Sequence, residues 1–445
     1  MDFTALLMSF GSTIYTVIVF IIALSIIVTV HEYGHYIVGR WSGIKADVFS
    51  LGFGKVIWSR TDKRGTQWQL AALPFGGYVK FAGDANAASA PDAHAVEGLS
   101  PDEARHTMPG APLWARTLTV AAGPVFNFIF SALVFVAVLF TMGKSGDVLI
   151  VDEISKMPIE VGIEPGDEIV AIAGTPVPEG LEGYSDFIAS LPHEMSLPYT
   201  VLRDGVEQTV EAPHPFPARI DEFSMKSAAK DAGLEKGDMI TAIDGVEIAT
   251  FGDLLAYFSG FKGGEATLTV LRDGQSVEAK MTPRERDLPL PEGGFETRYM
   301  IGIAGGTYFT IGSVPVSFGE AISAGVGQVW AVISLSLSAI YNMSIGMISA
   351  CNLSGPVGIA QVVSSAASVS VSSFFLTIAT LSTAIGLMNL FPIPVLDGGH
   401  LVFYAYEAVR GKPLPDRAVG VMMTVGLVVI LGFMVLGLSA DLFCV

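Results

Sequence analysis

Residues 31–35 read His-Glu-Tyr-Gly-His and close an apolar run, SIIVTVHEYGHYIVGRW. Residues four apart share one face of a helix, so His31 and His35 can both reach a single metal ion. HExxH on a helix is a zinc pattern, with two imidazoles as ligands and the glutamate, here Glu32, as general base for an attacking water. Zinc lowers the pKa of water from about 15.7 to about 7, so the chemistry on offer is hydrolysis. A soluble helix can carry five such residues by chance. In an apolar span ionisable side chains are expensive and normally functional.

A catalytic zinc needs a third protein ligand and an open position. The remaining histidines are His94, His106, His193, His214 and His400. His94 and His106 sit in a polar stretch rich in Ala, Pro and Asp, and His193 and His214 fall in an acidic block expected on the other side of the membrane. That leaves GLMNLFPIPVLDGGH, Gly386 to His400. Pro392 and Pro394 end a helix as the chain emerges, and Gly398-Gly399 permits a tight turn. Asp397 or His400 can complete the set.

These residues need helices to position them. The 445-residue chain is 51% apolar and only 15% charged, against about 25% charged in soluble proteins. Four runs approach the roughly 20 apolar residues a bilayer requires: about Ile14–Val38, Leu118–Phe140, Phe374–Leu390 and Ala418–Leu438. Basic residues mark the cytoplasmic loops. Arg40, Lys45, Lys55, Arg60, Lys63 and Arg64 follow the first span, and Arg410, Lys412 and Arg417 lie between the last two. A further apolar stretch, Gly327–Ser349, is expected to be an interfacial helix on the outer face, because a fifth crossing would move the Arg410–Arg417 cluster outside and carry Asp397 away from His31. The opening MDFTALL lacks a basic n-region, so the first run reads as a retained span.

Between Gly143 and Val326 there are 30 acidic and 13 basic residues, which argues against nucleic acid as a partner. This block contains a tandem repeat: GIEPGDEIVAIAGTPV from Gly162 and GLEKGDMITAIDGVEI from Gly233, followed in each copy by LRDG. Both copies resemble PDZ domains, which implies binding of peptide C-termini by strand addition, or a shielding role. The first cytoplasmic loop holds two β-rich runs around TDKRG and reads as a hairpin. Cys351 and Cys444 stand in no CxxC spacing, which leaves only a single disulfide open.

HEYGH, NLFPIPVLDGG and PDZ copies between spans together resemble the site-2 protease family of intramembrane zinc metalloproteases, in its bacterial regulator-of-sigma-E type. Further matches are GPVFN, LGFGKVIW…ALPFGGYVKF and NLSGP. The resemblance implies that His31, His35 and Asp397 bind zinc, that Glu32 is the catalytic base and that Asn389 holds substrate or the developing oxyanion. It also implies that the hairpin is membrane-associated. The substrates it implies are single-span membrane proteins such as a truncated anti-sigma factor, and remnant signal peptides.

The expected architecture is a polytopic α-helical membrane protein of the bacterial inner membrane with four transmembrane helices, a membrane-associated β-hairpin and two tandem PDZ-like domains. Its parts are membrane core 1–142, periplasmic repeats 143–216 and 217–290, a linker with an interfacial helix 291–371, and membrane core 372–445. Two rival readings are a PDZ-bearing scaffold with a structural metal and a metal transporter.

Overall fold

The computed structural model describes residues 3–84, 96, 98–146, 148–178, 183–224, 227–289, 295–347 and 353–443. Cys351, Cys444, His94 and most of the Ala-rich stretch after Gly83 lie outside the described residues. The chain divides into two compact units, one built from 1–140, 317–341 and 353–444, the other from 141–316 and 342–352.

The first unit is helical: α1 (Phe3–Trp41), α2 (Pro101–Arg105), α3 (Leu113–Met142), α7 (Phe318–Ser344), α8 (Pro356–Val369), α9 (Val371–Asn389), α10 (Asp397–Arg410) and α11 (Asp416–Phe443). Among the described residues five helices are long and apolar enough to cross a membrane: α1, α3, α7, α9 and α11. Sequence alone predicts four, with 327–349 as an interfacial helix on the outer face. Uniform apolarity hides the packing face of such helices from the sequence, and the contacts supply it. Ala23 and Ile27 of α1 pack with Val363 of α8 and Ile378 of α9. Phe135 of α3 packs with Val329 of α7 and Ala379 of α9. Ser131 Oγ donates to Ala379 O (2.8 Å), an α3–α9 hydrogen bond in a buried position.

The hairpin forms as β1 (Ala46–Thr61) and β2 (Gln67–Phe81). Both strands bend, so that Ser50 faces Tyr78 and also Gln69. The result is a curled sheet whose base packs against α1 through Tyr36, Ile44, Phe49, Val79 and Phe81.

The second unit repeats one design. β5 (Glu168–Ile172), β6 (Thr175–Pro176), β7 (Ser196–Arg203) and β8 (Val206–Pro213) form a sheet in the order β6-β5-β7-β8, with α4 (Tyr184–Ser190) beside it. β10 (Met239–Ile243), β11 (Val246–Glu247), β12 (Ala266–Arg272) and β13 (Gln275–Met281) form β11-β10-β12-β13, with α5 (Ala228–Asp231) and α6 (Phe251–Ser259). The same fork recurs in each. Arg203 grips Asp167 and the carbonyl of Gly162, and Arg272 grips Asp238 and the carbonyl of Gly233.

Short strands tie in distant chain: β3 (Lys144–Ser145) pairs with β18 (Ser313–Val314), β4 (Val151–Ile154) with β17 (Phe309–Ile311), and β9 (Glu222–Phe223) with β16 (Ile303–Ala304). β14 (Arg284–Pro289) pairs with β15 (Phe295–Met300). Residues beyond 291, expected from the sequence to form a linker, therefore enter both cores. Ile301 and Ile303 join the second repeat, while Tyr308 and Phe309 join the first.

Candidate metal centre

The site is assembled by helices that run in opposed senses. Ile27 of α1 meets Ile378 of α9, and one turn further along α1 His31 meets Asp397, just past the end of α9. Helices α1 and α9 therefore run the same way. Helix α3 runs against them: Ser131 lies beside Ala379, Asn127 beside His31, and Thr119 beside His35.

His31 Nε2, His35 Nε2 and Asp397 Oδ2 converge. The two nitrogens are 3.1 Å apart, and the carboxylate oxygen is 3.1 Å from His31 and 3.5 Å from His35. Ligands about 2.0–2.1 Å from a tetrahedral zinc would be separated by about 3.3 Å, so the triangle has the size of one tetrahedral face. His35 Nδ1 donates to Thr119 O (2.8 Å), which leaves Nε2 with its lone pair facing the triangle. Asp397 Oδ2 is buried and has no hydrogen-bond donor among the described residues. A buried, unsatisfied carboxylate oxygen beside imidazole lone pairs is costly unless a cation sits between them. The donor set thus fits zinc, and among the described residues this is the one such cluster.

The chain reaches this arrangement through local devices. Pro392 and Pro394 end α9, and α10 restarts at Asp397, which occupies its first turn. Gly398 and Gly399 pack so closely on the preceding turn that a Cβ on either would overlap the carbonyl of Leu390 or Ile393. Arg116 of α3 holds Glu407 of α10 in a two-pronged ion pair (2.6 and 3.0 Å), largely shielded from solvent, and its guanidinium lies over Tyr404. Helix α10, and Asp397 with it, is thereby anchored to the helix that orients His35.

A cavity of about 210 Å³ adjoins the triangle, lined by Glu32, Gly77, Tyr78, Val79, Asn389 and His400 among others. The structure thus brings together all five residues the sequence singled out: His31, Glu32, His35, Asn389 and Asp397. His400, the other candidate third ligand, lines the cavity but stands outside the converging trio. His106 instead meets the carbonyl of Gly43 (2.6 Å), and His193 and His214 belong to the other unit. Sequence reasoning gave no role to Thr119, Gly123 or Asn127. For Gly123 and Asn127 the one signal was the motif GPVFN, with a polar amide inside an apolar span, and Thr119 lies outside that motif.

The family model for peptidase family M50 matches residues 19–433. A protein of Agrobacterium fabrum whose name assigns it to the zinc metalloproteases is 37% identical over 429 residues, spanning 96% of this chain and 95% of its own length. A similarly named protein of Rhizobium meliloti is 35% identical over 420 residues, spanning 94% of this chain and 93% of its own. The regulator of sigma-E protease of Salmonella typhimurium is 29% identical over 472 residues, spanning 97% of this chain and 99% of its own. Against these matches a scaffold or a transporter loses its footing: the chain is a zinc metalloprotease with several membrane-capable helices, and it belongs to peptidase family M50, the site-2 protease family.

Proposed function

We propose that this peptidase cuts single-span membrane proteins within or near their membrane helix, after another protease has trimmed their outer part. The observation that carries the reading is which elements build the site. Two imidazoles and Glu32 of α1 meet a carboxylate just past the end of α9, beside α3, and each of these three helices is apolar and long enough to span. We take a truncated anti-sigma factor as the substrate class, with remnant signal peptides as a second and an envelope stress response as the context; the Salmonella relative is named a regulator of sigma-E protease, which fits a role in sigma-factor control.

Zinc held by His31, His35 and Asp397 would activate water and polarise the scissile carbonyl. Glu32, on the same cavity, takes the proton of the attacking water and returns it to the leaving amine. The Asn389 amide donates to the oxygen of the carbonyl as negative charge grows there. A helical substrate hides its carbonyls in i→i−4 bonds, so it must be unwound first. Gly77–Phe81 of β2 pairs with β1 on one side, and its residues line the cavity. An extended substrate can add to this strand. Phe53, Ile57, Trp58 and Leu73 are exposed on the same sheet, which suits a hairpin dipped into lipid.

Helix sense supports four crossings. With α1 and α9 parallel and α3 opposed, the crossings between α3 and α9 must be even in number. Helix α7 could cross only if another segment returned. Helix α8 has 14 residues, about 21 Å at ~1.5 Å per residue, short of a hydrocarbon core of ~30 Å. Helix α7 is therefore read as outer and interfacial. The Arg/Lys-rich loops support a site near the cytoplasmic face of the inner membrane and acidic repeats in the periplasm. There the PDZ-like pair would exclude untrimmed substrates or capture peptide C-termini at a sheet edge.

The test is co-expression of single-span anti-sigma factors, truncated on the outer side, with the wild type or with Glu32→Gln. The wild type should cleave them. Glu32→Gln should keep its zinc and lose about 10²–10⁴-fold in rate. Equal cleavage by both forms refutes the assignment.

A further inference from the structure

We propose that Asn127 is a positioning residue for the metal centre: its side-chain oxygen accepts the Nδ1–H of His31 and so presents Nε2 of that imidazole to the zinc. The inference rests on the reading that His31 holds the ion.

Asn127 lies on α3, fully buried, with its side-chain amide 3.3 Å from His31 Nδ1. Its Oδ1 is buried without a hydrogen-bond partner among the described residues. A neutral imidazole that gives the Nε2 lone pair to a metal carries its proton on Nδ1 and must donate there. The amide NH₂ cannot accept that proton, whereas Oδ1 can. A half-turn of the amide places Oδ1 on Nδ1 and gives the orphaned oxygen its partner in the same movement. His35 is already held in this way, through Nδ1 to Thr119 O (2.8 Å). Both imidazoles would then be fixed from a single helix, one by a backbone carbonyl and one by a side chain.

The backbone of Asn127 is itself clamped. Its carbonyl accepts from Ser382 Oγ of α9 (3.2 Å) and lies 2.8 Å from Ser131 Oγ, whose one proton it shares with Ala379 O. The amide that orients His31 is therefore tied to the helix that leads into Asp397. Outer partners of metal-bound histidines fix the tautomer and ring orientation, and losing one typically costs about 10–100-fold in metal affinity.

The experiment compares the full-length wild type, Asn127→Leu and Asn127→Asp in detergent. Zinc content is measured, affinity is read by chelator competition, cobalt-substituted samples give visible spectra, and thermal unfolding monitors the fold. Asn127→Leu, similar in size but without an acceptor, should bind zinc about 10–100-fold more weakly and show an altered cobalt spectrum. Asn127→Asp keeps the acceptor and should stay near the wild type in both. Wild-type affinity in Asn127→Leu overturns the proposal. So does an equal loss in a folded Asn127→Asp, since the acceptor would then be irrelevant. A wild type that takes up no zinc overturns the metal centre itself, a failure separable from that of Asn127.

Discussion

Both units bury charge, and they do so for opposite ends. In the repeats, the Asp167 and Asp238 side chains are each 1% exposed, yet each carboxylate is fully engaged by an arginine fork. The arrangement occurs twice, in equivalent places, and serves the turn into β5 or β10. In the helical unit the Asp397 side chain is 18% exposed, but its Oδ2 is buried, faces two imidazole nitrogens and has no donor among the described residues. A satisfied buried charge holds a fold together. An unsatisfied one, set among lone pairs, waits for a cation. Burial alone does not mark chemistry, but the leftover valence does.

The sharpest way to break this contrast is Asp397→Ala. It should abolish zinc retention and reduce cleavage to background, while the thermal unfolding of the repeats stays where it was. Metal analysis and a cleavage assay on one preparation decide it.

Gly123→Ala should have the next largest effect, although it touches no ligand chemically. A Cβ at Gly123 would overlap His35 Nε2 and crowd His31 Cε1. Those imidazoles must move or the helices must part, and the metal triangle widens either way. Zinc affinity should fall by about tenfold or more, measured by chelator competition.

The smallest effect tests the other side of the comparison. The Arg203 guanidinium holds the Asp167 carboxyl below its ordinary range, against the upward push of its burial. A depressed folded-state pKa contributes stability that is present above the unfolded value, about 3.9, and is lost as pH falls through the folded value. Asp167→Asn should therefore lower the melting temperature by several degrees at neutral pH and flatten its decline below about pH 4. Zinc content should not change. A metal loss in this variant would erase the distinction between the two kinds of buried charge.

Much of the helical unit could be read from the residues alone. The run from Ile14 is one helix through His35, since apolar continuity and a four-residue His spacing are both local signals. The strand pair around TDKRG was equally visible, because turn chemistry and β-branched runs lie within a few residues. The repeat was plain from matching Gly-Asp and LRDG signatures. The role of Tyr308 and Phe309 in closing the first repeat's core was not, since that pairing links residues some 150 positions apart and neither strand has a pattern naming its partner. Nor was the work of Thr119, which acts through a backbone carbonyl that any residue possesses.

Residue identity alone determined the candidate ligand types, the carboxylate beside them and the apolar helices that carry them, because side-chain chemistry and helical period are properties of short stretches. Only tertiary structure decided that His31, His35 and Asp397 share one triangle, that α1 and α9 run in one sense, and that a glycine and an asparagine of α3 seat the imidazoles. Lipid-facing helices are apolar all round, so nothing in their composition says which faces meet. Close packing across glycines and a handful of buried hydrogen bonds supply that choice.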